Sequence, residues 1–108
     1  MIRIDANRII DWSSFHAVFS EVFGFPEFYG ANMNAWIDCL SYLDDPDSEM
    51  TKAHIQPGET LTVLIENSKE FKERCPEQFS ALVECTAFVN YRCTEKGQSA
   101  LIALAFCV

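Results

Sequence analysis

Basic residues are scarce in this chain of 108 residues. Eight Lys and Arg residues stand against 16 Asp and Glu residues, which gives a formal net charge of −8. Nucleic-acid binding requires a basic face for the phosphates, and anionic membranes also attract basic surfaces. We therefore expect no direct contact with nucleic acid or with a membrane. A protein this acidic attracts a basic partner at long range.

Long apolar runs are also missing. The longest, Ala100 to Val108, has about half of the roughly 18 residues that a membrane helix needs. Near the start of the chain, Asp5 and Arg8 interrupt any apolar segment of the signal-peptide kind. Few Gly and Pro residues, with 49% apolar residues, exclude collagen-like and disordered chains. We expect a single domain over residues 1–108, located in the cytoplasm.

Motifs for catalysis and metal binding are absent. His16 and His54 have no second His or Cys three or four positions away, and no phosphate-binding glycine loop or nucleophile elbow occurs. We expect no metal and no other cofactor, and we interpret His16 as a surface residue on the outer side of the first helix. The odd number of cysteines and the lack of a C-x-x-C pair favour free thiols. The five are Cys39, Cys75, Cys85, Cys93 and Cys107.

The spacing of apolar residues predicts strands that alternate with pairs of helices. This order favours an α/β fold, a three-stranded parallel sheet with about four helices packed on it. The last segment, Ser99 to Val108, is almost wholly apolar, and we predict a central strand buried on both faces. The predicted strands cover residues 1–6, 60–66 and 99–108, and the predicted helices cover residues 13–23, 32–43, 68–74 and 77–92.

The second predicted helix, Asn32 to Leu43, has an unusual outer face. A surface helix usually carries Lys and Glu there, whereas this face has small side chains that would let another backbone come close. At 100° per residue, the buried arc contains Met33, Trp36, Ile37, Leu40 and Leu43, and the outer arc contains Ala31, Asn34, Ala35, Asp38 and Tyr42.

An acidic segment, Asp44 to Glu59, follows this helix. It contains five acidic residues and one Lys, with two Pro and one Gly. It lacks the Gly at position 6 and the Glu at position 12 of a calcium-binding loop, so we predict a solvated loop with one helical turn. We expect Asp44, Asp45 and Asp47 to be exposed.

Residues Phe25 to Leu40, FPEFYGANMNAWIDCL, resemble the barstar family of ribonuclease inhibitors. The family pattern is Leu-Pro-Glu-aromatic-Tyr-Gly-x-Asn-Leu-Asp-Ala-Leu-Trp-Asp-Cys-Leu, and rare residue types match it in register. The resemblance implies a three-stranded parallel sheet with helices against it. It also implies an inhibitor that blocks the cleft of a basic ribonuclease or RNase-like toxin. The blocking elements would be the second helix and the aromatic–Gly loop before it.

The resemblance places the family's central carboxylate, which occupies a phosphate position in the cleft, at Asp38. The departures from the pattern include Asn34, which stands where the family usually has Asp, Trp36, which replaces a Leu, and Ile37, which stands where the family has Trp. The family's further acidic contact on the last helix has Asn90 or Glu84 as its nearest candidate. The predicted partner-binding residues are Phe28, Tyr29, Gly30, Ala31, Asn32, Asn34, Ala35, Ile37, Asp38 and Tyr42.

Three functions stay open on the sequence alone. The first is a monomeric, cytoplasmic immunity protein that inhibits a basic ribonuclease. The second is a binding module of the same fold for a different basic partner, because of Asn34 and Ile37. The third is a small enzyme that uses a Cys–His pair formed in space, or an acid–base pair.

Overall fold

The computed structural model describes residues 1–108. Its sheet has three parallel strands in the order β1-β2-β3, and helices precede and follow the central strand. The predicted three-stranded parallel sheet with about four helices is confirmed. The strands are β1 (Ile2–Asp5), β2 (Leu61–Glu66) and β3 (Ile102–Phe106), and the helices are α1 (Trp12–Phe23), α2 (Met33–Leu40), α3 (Ser68–Arg74) and α4 (Pro76–Glu95).

The last strand lies at the edge of the sheet. β2 pairs with both of its neighbours, whereas β3 pairs with β2 alone. Ala103 and Phe106 of β3 are exposed, so the prediction of a central strand over Ser99 to Val108 is wrong. An apolar run favours burial, but the order of strands depends on how the helices cross the sheet.

Local signals place the ends of α1. Asp11 accepts a hydrogen bond from the Ser14 backbone N–H, and the Ser14 hydroxyl oxygen accepts one from the Asp11 N–H, which forms a capping box. Gly24 ends the helix in the left-handed conformation, with φ of 70°. A Cβ at Gly24 would lie 2.6 Å from Cβ of Lys52, so the acidic loop packs directly against this turn.

The hydrophobic core lies between the sheet and the helices and contains 22 buried residues. α1 contributes Phe15, Phe19 and Phe23, and the ring of Trp36 from α2 meets Phe19 edge-on at 5.7 Å between centroids. Because the core fixes α2 through Trp36 and Leu40, it also fixes the direction of the opposite face of that helix. No helix is both long and apolar enough to cross a membrane.

The acidic loop is tied to the end of α1 and to the turn that follows α2. The Lys52 and Ala53 N–H groups donate to the Phe23 carbonyl oxygen, and the Ile55 N–H donates to that of Leu43. The predicted helical turn is present at residues 46–48 as a 3₁₀ turn. Asp45 and Asp47 are exposed as expected, but Asp44 is half-buried because it faces the groove between α2 and α4.

The helix after β2 begins without a hydrogen bond from a capping side chain. α3 has the predicted bounds, but the residue before it, Asn67, occupies the cap position with φ of 58°. Ser68 does not cap the helix. It is buried, and its hydroxyl group donates to the carbonyl oxygen of Cys107 beyond β3.

Candidate functional site

α2 begins at Met33, and the preceding loop is organised around Asn32. The Asn32 side chain accepts a hydrogen bond from the Ala35 N–H at 2.8 Å and donates one to the Gly30 carbonyl oxygen at 3.3 Å. Asn32 is exposed, but both ends of its amide group are used within the chain. Asn32, a predicted partner-binding residue, therefore also acts as the N-cap of α2.

α2 ends at Leu40, three residues before the predicted end at Leu43. The Ser41 hydroxyl group donates to the Ile37 carbonyl oxygen at 2.6 Å, and the Tyr42 N–H donates to that of Cys39, which tightens the last turn. Tyr42 therefore lies beyond the helix, with 44% of its surface exposed, although the helical wheel places it on the outer arc.

The two faces of α2 follow the predicted arcs. Trp36 and Leu40 are buried, and Asn34 and Asp38 are exposed on the outer side. Ala35 is half-buried between Asn34 and the loop. Met33 and Ile37, expected in the buried arc, are also half-buried and pack against the margin of the core.

An aromatic pair stands in the loop before α2, and its two members have different environments. Phe28 is 78% exposed. Tyr29 is half-buried: its hydroxyl oxygen lies 2.6 Å from Nδ1 of His16, and its ring lies 4.6 Å from that of Phe25. The loop is thus held on α1 through Tyr29 and leaves Phe28 free for an external contact.

His16 is buried, with 6% of its surface exposed, so the prediction of a surface histidine is wrong. The loop folds back over α1 and covers the ring, which also stacks on Trp12. Burial lowers the pKa of His16 and raises the pKa of Tyr29. Periodicity within α1 could not reveal this contact, because the covering residue belongs to another segment.

Ala31 connects the loop to α2 in a strained conformation. Its φ of 51° lies in the left-handed region, which costs a residue with a Cβ about 1 kcal/mol. The bend directs Asn32 onto the first turn of α2. Non-glycine residues in this region are often found at functional sites, where the surrounding contacts hold them in place.

Asp38 faces Arg92 of α4. The distance from Asp38 Oδ1 to Arg92 Nη1 is 3.7 Å, and the side chains are 61% and 45% exposed. Both line a groove of about 410 Å³ between the C-terminal ends of α2 and α4, together with Tyr42, Asp44, Glu95 and Lys96. Sequence reasoning missed Arg92, since no local pattern links two helices so far apart in the chain.

Asn90 lies on the last helix and bonds to another segment of the chain. Its side chain accepts from the Leu101 and Ile102 N–H groups, at 3.1 Å each, and donates to the Ile102 carbonyl oxygen at 2.8 Å. Asn90 therefore fixes the start of β3, and its amide group forms these bonds within the chain. Glu84, the other candidate, is exposed.

The five cysteines are all free, and three of them are buried. Cys39, Cys75 and Cys93 are buried, while Cys107 is exposed. Burial, with a smaller contribution from Asp38, raises the pKa of Cys39 to about 11, and burial also raises the pKa of Cys93. A thiol activated for attack has a lowered pKa instead. His16, for its part, pairs with Tyr29.

The comparisons with known proteins extend beyond the segment Phe25 to Leu40. The family described as Barstar (barnase inhibitor) matches residues 1–105 of the 108-residue chain. A comparison with curated proteins finds no match. The family match covers β1, β2, all four helices and β3 as far as Ala105, and it includes the exposed face of α2. The chain therefore belongs to the barstar family.

Proposed function

We propose that this protein binds a basic ribonuclease or RNase-like toxin and blocks its active-site cleft with α2 and the preceding loop. Membership of a family described as barnase inhibitors supports a role in ribonuclease inhibition. The observation that carries the proposal is the exposed carboxylate of Asp38. It projects from the face of α2 opposite Trp36, and the neighbouring residues Asn34 and Ala35 have short side chains.

A carboxylate held in this way can occupy the place of a substrate phosphate. A ribonuclease cleft binds phosphates with Lys, Arg and His, and these groups form short, charge-assisted hydrogen bonds with a carboxylate. The net charge of −8 speeds the encounter with a basic enzyme, and desolvated pairs slow release. The barnase–barstar complex, whose inhibitor belongs to this family, is the reference case for both effects.

The remaining residues of the proposed contact surface divide into two groups. Phe28, Asn34, Asp38 and Tyr42 are exposed and can touch the partner, together with the backbone of Gly30 and Ala31. Tyr29, Asn32, Ala35 and Ile37 are tied into the fold and position that surface. A Cβ at Gly30 would lie 3.1 Å from the Asn32 side chain, so a larger residue there would disturb the cap.

A second candidate function is a barstar-fold module for a different basic partner. Asn34 and Ile37 reduce the acidic and aromatic character of α2, and Arg92 adds a positive charge beside Asp38. A partner other than barnase would then fit this face better. The two candidates share the contact surface and differ in the partner, which is a ribonuclease in the first and another kind of basic protein in the second.

The test is inhibition of RNA hydrolysis by barnase, comparing the parent protein with Asp38→Ala. Removing the carboxylate from a buried contact should cost about 2–5 kcal/mol of binding, a loss of roughly 30- to 5,000-fold. Glu73→Ala, which removes an exposed carboxylate from α3, is the matched control and should change affinity little. Thermal unfolding of Asp38→Ala should stay within about 0.5 kcal/mol of the parent, because Asp38 has no core contact.

Equal inhibition by the parent and Asp38→Ala would show that Asp38 does not stand in for a phosphate. A parent that inhibits no ribonuclease, but binds a basic protein of another kind through the same face of α2, would select the second candidate. Asn34→Asp supplies a complementary variant. It adds the carboxylate that the family usually has, and tighter binding to barnase is expected from it.

A further inference from the structure

Arg92 holds a defined position beside the proposed contact carboxylate. Its guanidinium carbon lies 5.0 Å from the ring centroid of Phe88, one turn earlier on α4, and its Nη1 atom lies 3.7 Å from Asp38 Oδ1. The aromatic ring and the carboxylate thus contact the guanidinium together. Phe88 is itself about half exposed, so the three side chains form one accessible surface across α2 and α4.

The pair adds little to the stability of the fold. Both side chains are about half in water, and exposed ion pairs of this kind contribute little to folding. Its effect is expected on binding instead. When a cationic cleft approaches Asp38, it must displace Arg92 from the carboxylate before its own cations can bind there.

We propose that Arg92 is a specificity-determining residue, which holds Asp38 in an internal ion pair and disfavours ribonuclease clefts that are cationic all around the Asp38 position. This inference rests on the proposed function, in which Asp38 enters the cleft. A favoured partner leaves the guanidinium in water or offers it a hydrogen-bond acceptor. Specificity often comes from a cost imposed on the wrong partner, and here the cost is the loss of the Asp38–Arg92 pair.

The groove offers a matched control for the charge itself. Lys96 lines the same groove as Arg92 but makes no ion pair with Asp38 or any other acidic residue. Lys96→Gln therefore changes the local net charge by the same amount as Arg92→Gln and leaves the Asp38 pair intact. A difference in affinity between the two variants therefore measures the effect of the Asp38–Arg92 pair and not that of the overall charge of the protein.

The experiment measures the dissociation constant for barnase at low and at physiological salt. Arg92→Gln should bind about two- to fivefold more tightly than the parent, the range expected for releasing one exposed ion pair. Arg92→Glu changes the charge by two, so its fold-change should be about the square of that, roughly four- to 25-fold. Lys96→Gln should give a smaller gain, and all gains should decrease with salt.

A double-mutant cycle identifies the route of the effect. In an Asp38→Asn background, Arg92→Gln should no longer improve binding beyond the gain of Lys96→Gln. An Arg92→Gln gain that is equal in both backgrounds, or equal to that of Lys96→Gln, would overturn the inference. Weaker binding by Arg92→Gln than by the parent would overturn it as well.

A measurement on the free protein keeps the inference testable without a complex. The NMR signal of the Asp38 carboxyl carbon should move on Arg92→Gln substitution and should move less at high salt, whereas Lys96→Gln should leave it in place. An Asp38 signal that does not shift on Arg92→Gln substitution would show that the pair does not form in solution. Failure of the proposed function has a different signature: Asp38→Ala would inhibit barnase as well as the parent does.

Discussion

Replacing Asn90 with Ala removes three hydrogen bonds that join α4 to the start of β3. The Leu101 and Ile102 N–H groups and the Ile102 carbonyl oxygen all bond to the Asn90 side chain, and Leu101 and Ile102 are buried. β3 has a strand neighbour on one side only, so no other strand can supply these partners. The variant leaves three backbone groups without a partner inside the protein.

The expected cost follows from those three bonds. A net hydrogen bond contributes about 1 kcal/mol, and a partly buried site lets water replace some of the loss, which gives about 2–3 kcal/mol for Asn90→Ala. For a domain of this size, that corresponds to a fall in Tm of roughly 10–20 °C. Urea unfolding, followed by circular dichroism and by tryptophan fluorescence, measures both the free energy and the two-state character of the transition.

Glu84→Ala is the control, since Glu84 lies on the same helix and is exposed. Its unfolding free energy should stay within about 0.5 kcal/mol of the parent. Folded Asn90→Ala should bind ribonuclease like the parent, because its side chain points to β3. An unfolding free energy close to that of the parent, combined with weaker binding, would refute the structural role and restore Asn90 as a contact residue.

Two further predictions concern the acidic loop and the buried histidine. The double substitution of Asp45 and Asp47 to Asn should lower the association rate constant and weaken its salt dependence, because both carboxylates are exposed and act at long range. A larger effect on the dissociation rate constant than on the association rate constant would contradict this prediction. Because burial lowers the pKa of His16, the imidazole binds a proton more readily in the unfolded chain than in the folded protein. The unfolding free energy should therefore decrease as the pH falls from about 6.5 toward the folded-state pKa. His16→Gln should remove this pH dependence of the unfolding free energy. The lowered pKa of Asp11 affects stability only below about pH 4. A pH dependence that persists in His16→Gln would therefore belong to another group.

The sequence alone determined the features that depend on neighbouring residues. Asp11 caps α1, Gly24 ends it and Pro76 begins α4, and each of these residues acts within one helical turn. Strand and helix periodicity predicted the element order and the parallel sheet. The Phe25 to Leu40 segment indicated the family, and the outer face of α2 followed from its wheel.

The tertiary structure decided which separate segments meet. Four features depend on contacts between separate elements. They are the edge position of β3, the covering of His16 by the loop, the bonds of Asn90 to β3 and the pairing of Arg92 with Asp38. Such contacts depend on the packing of helices and strands into a common core, which no periodicity within one element specifies. Arg92 had no distinguishing sequence pattern, because its role comes from α4 lying beside α2 in the folded protein.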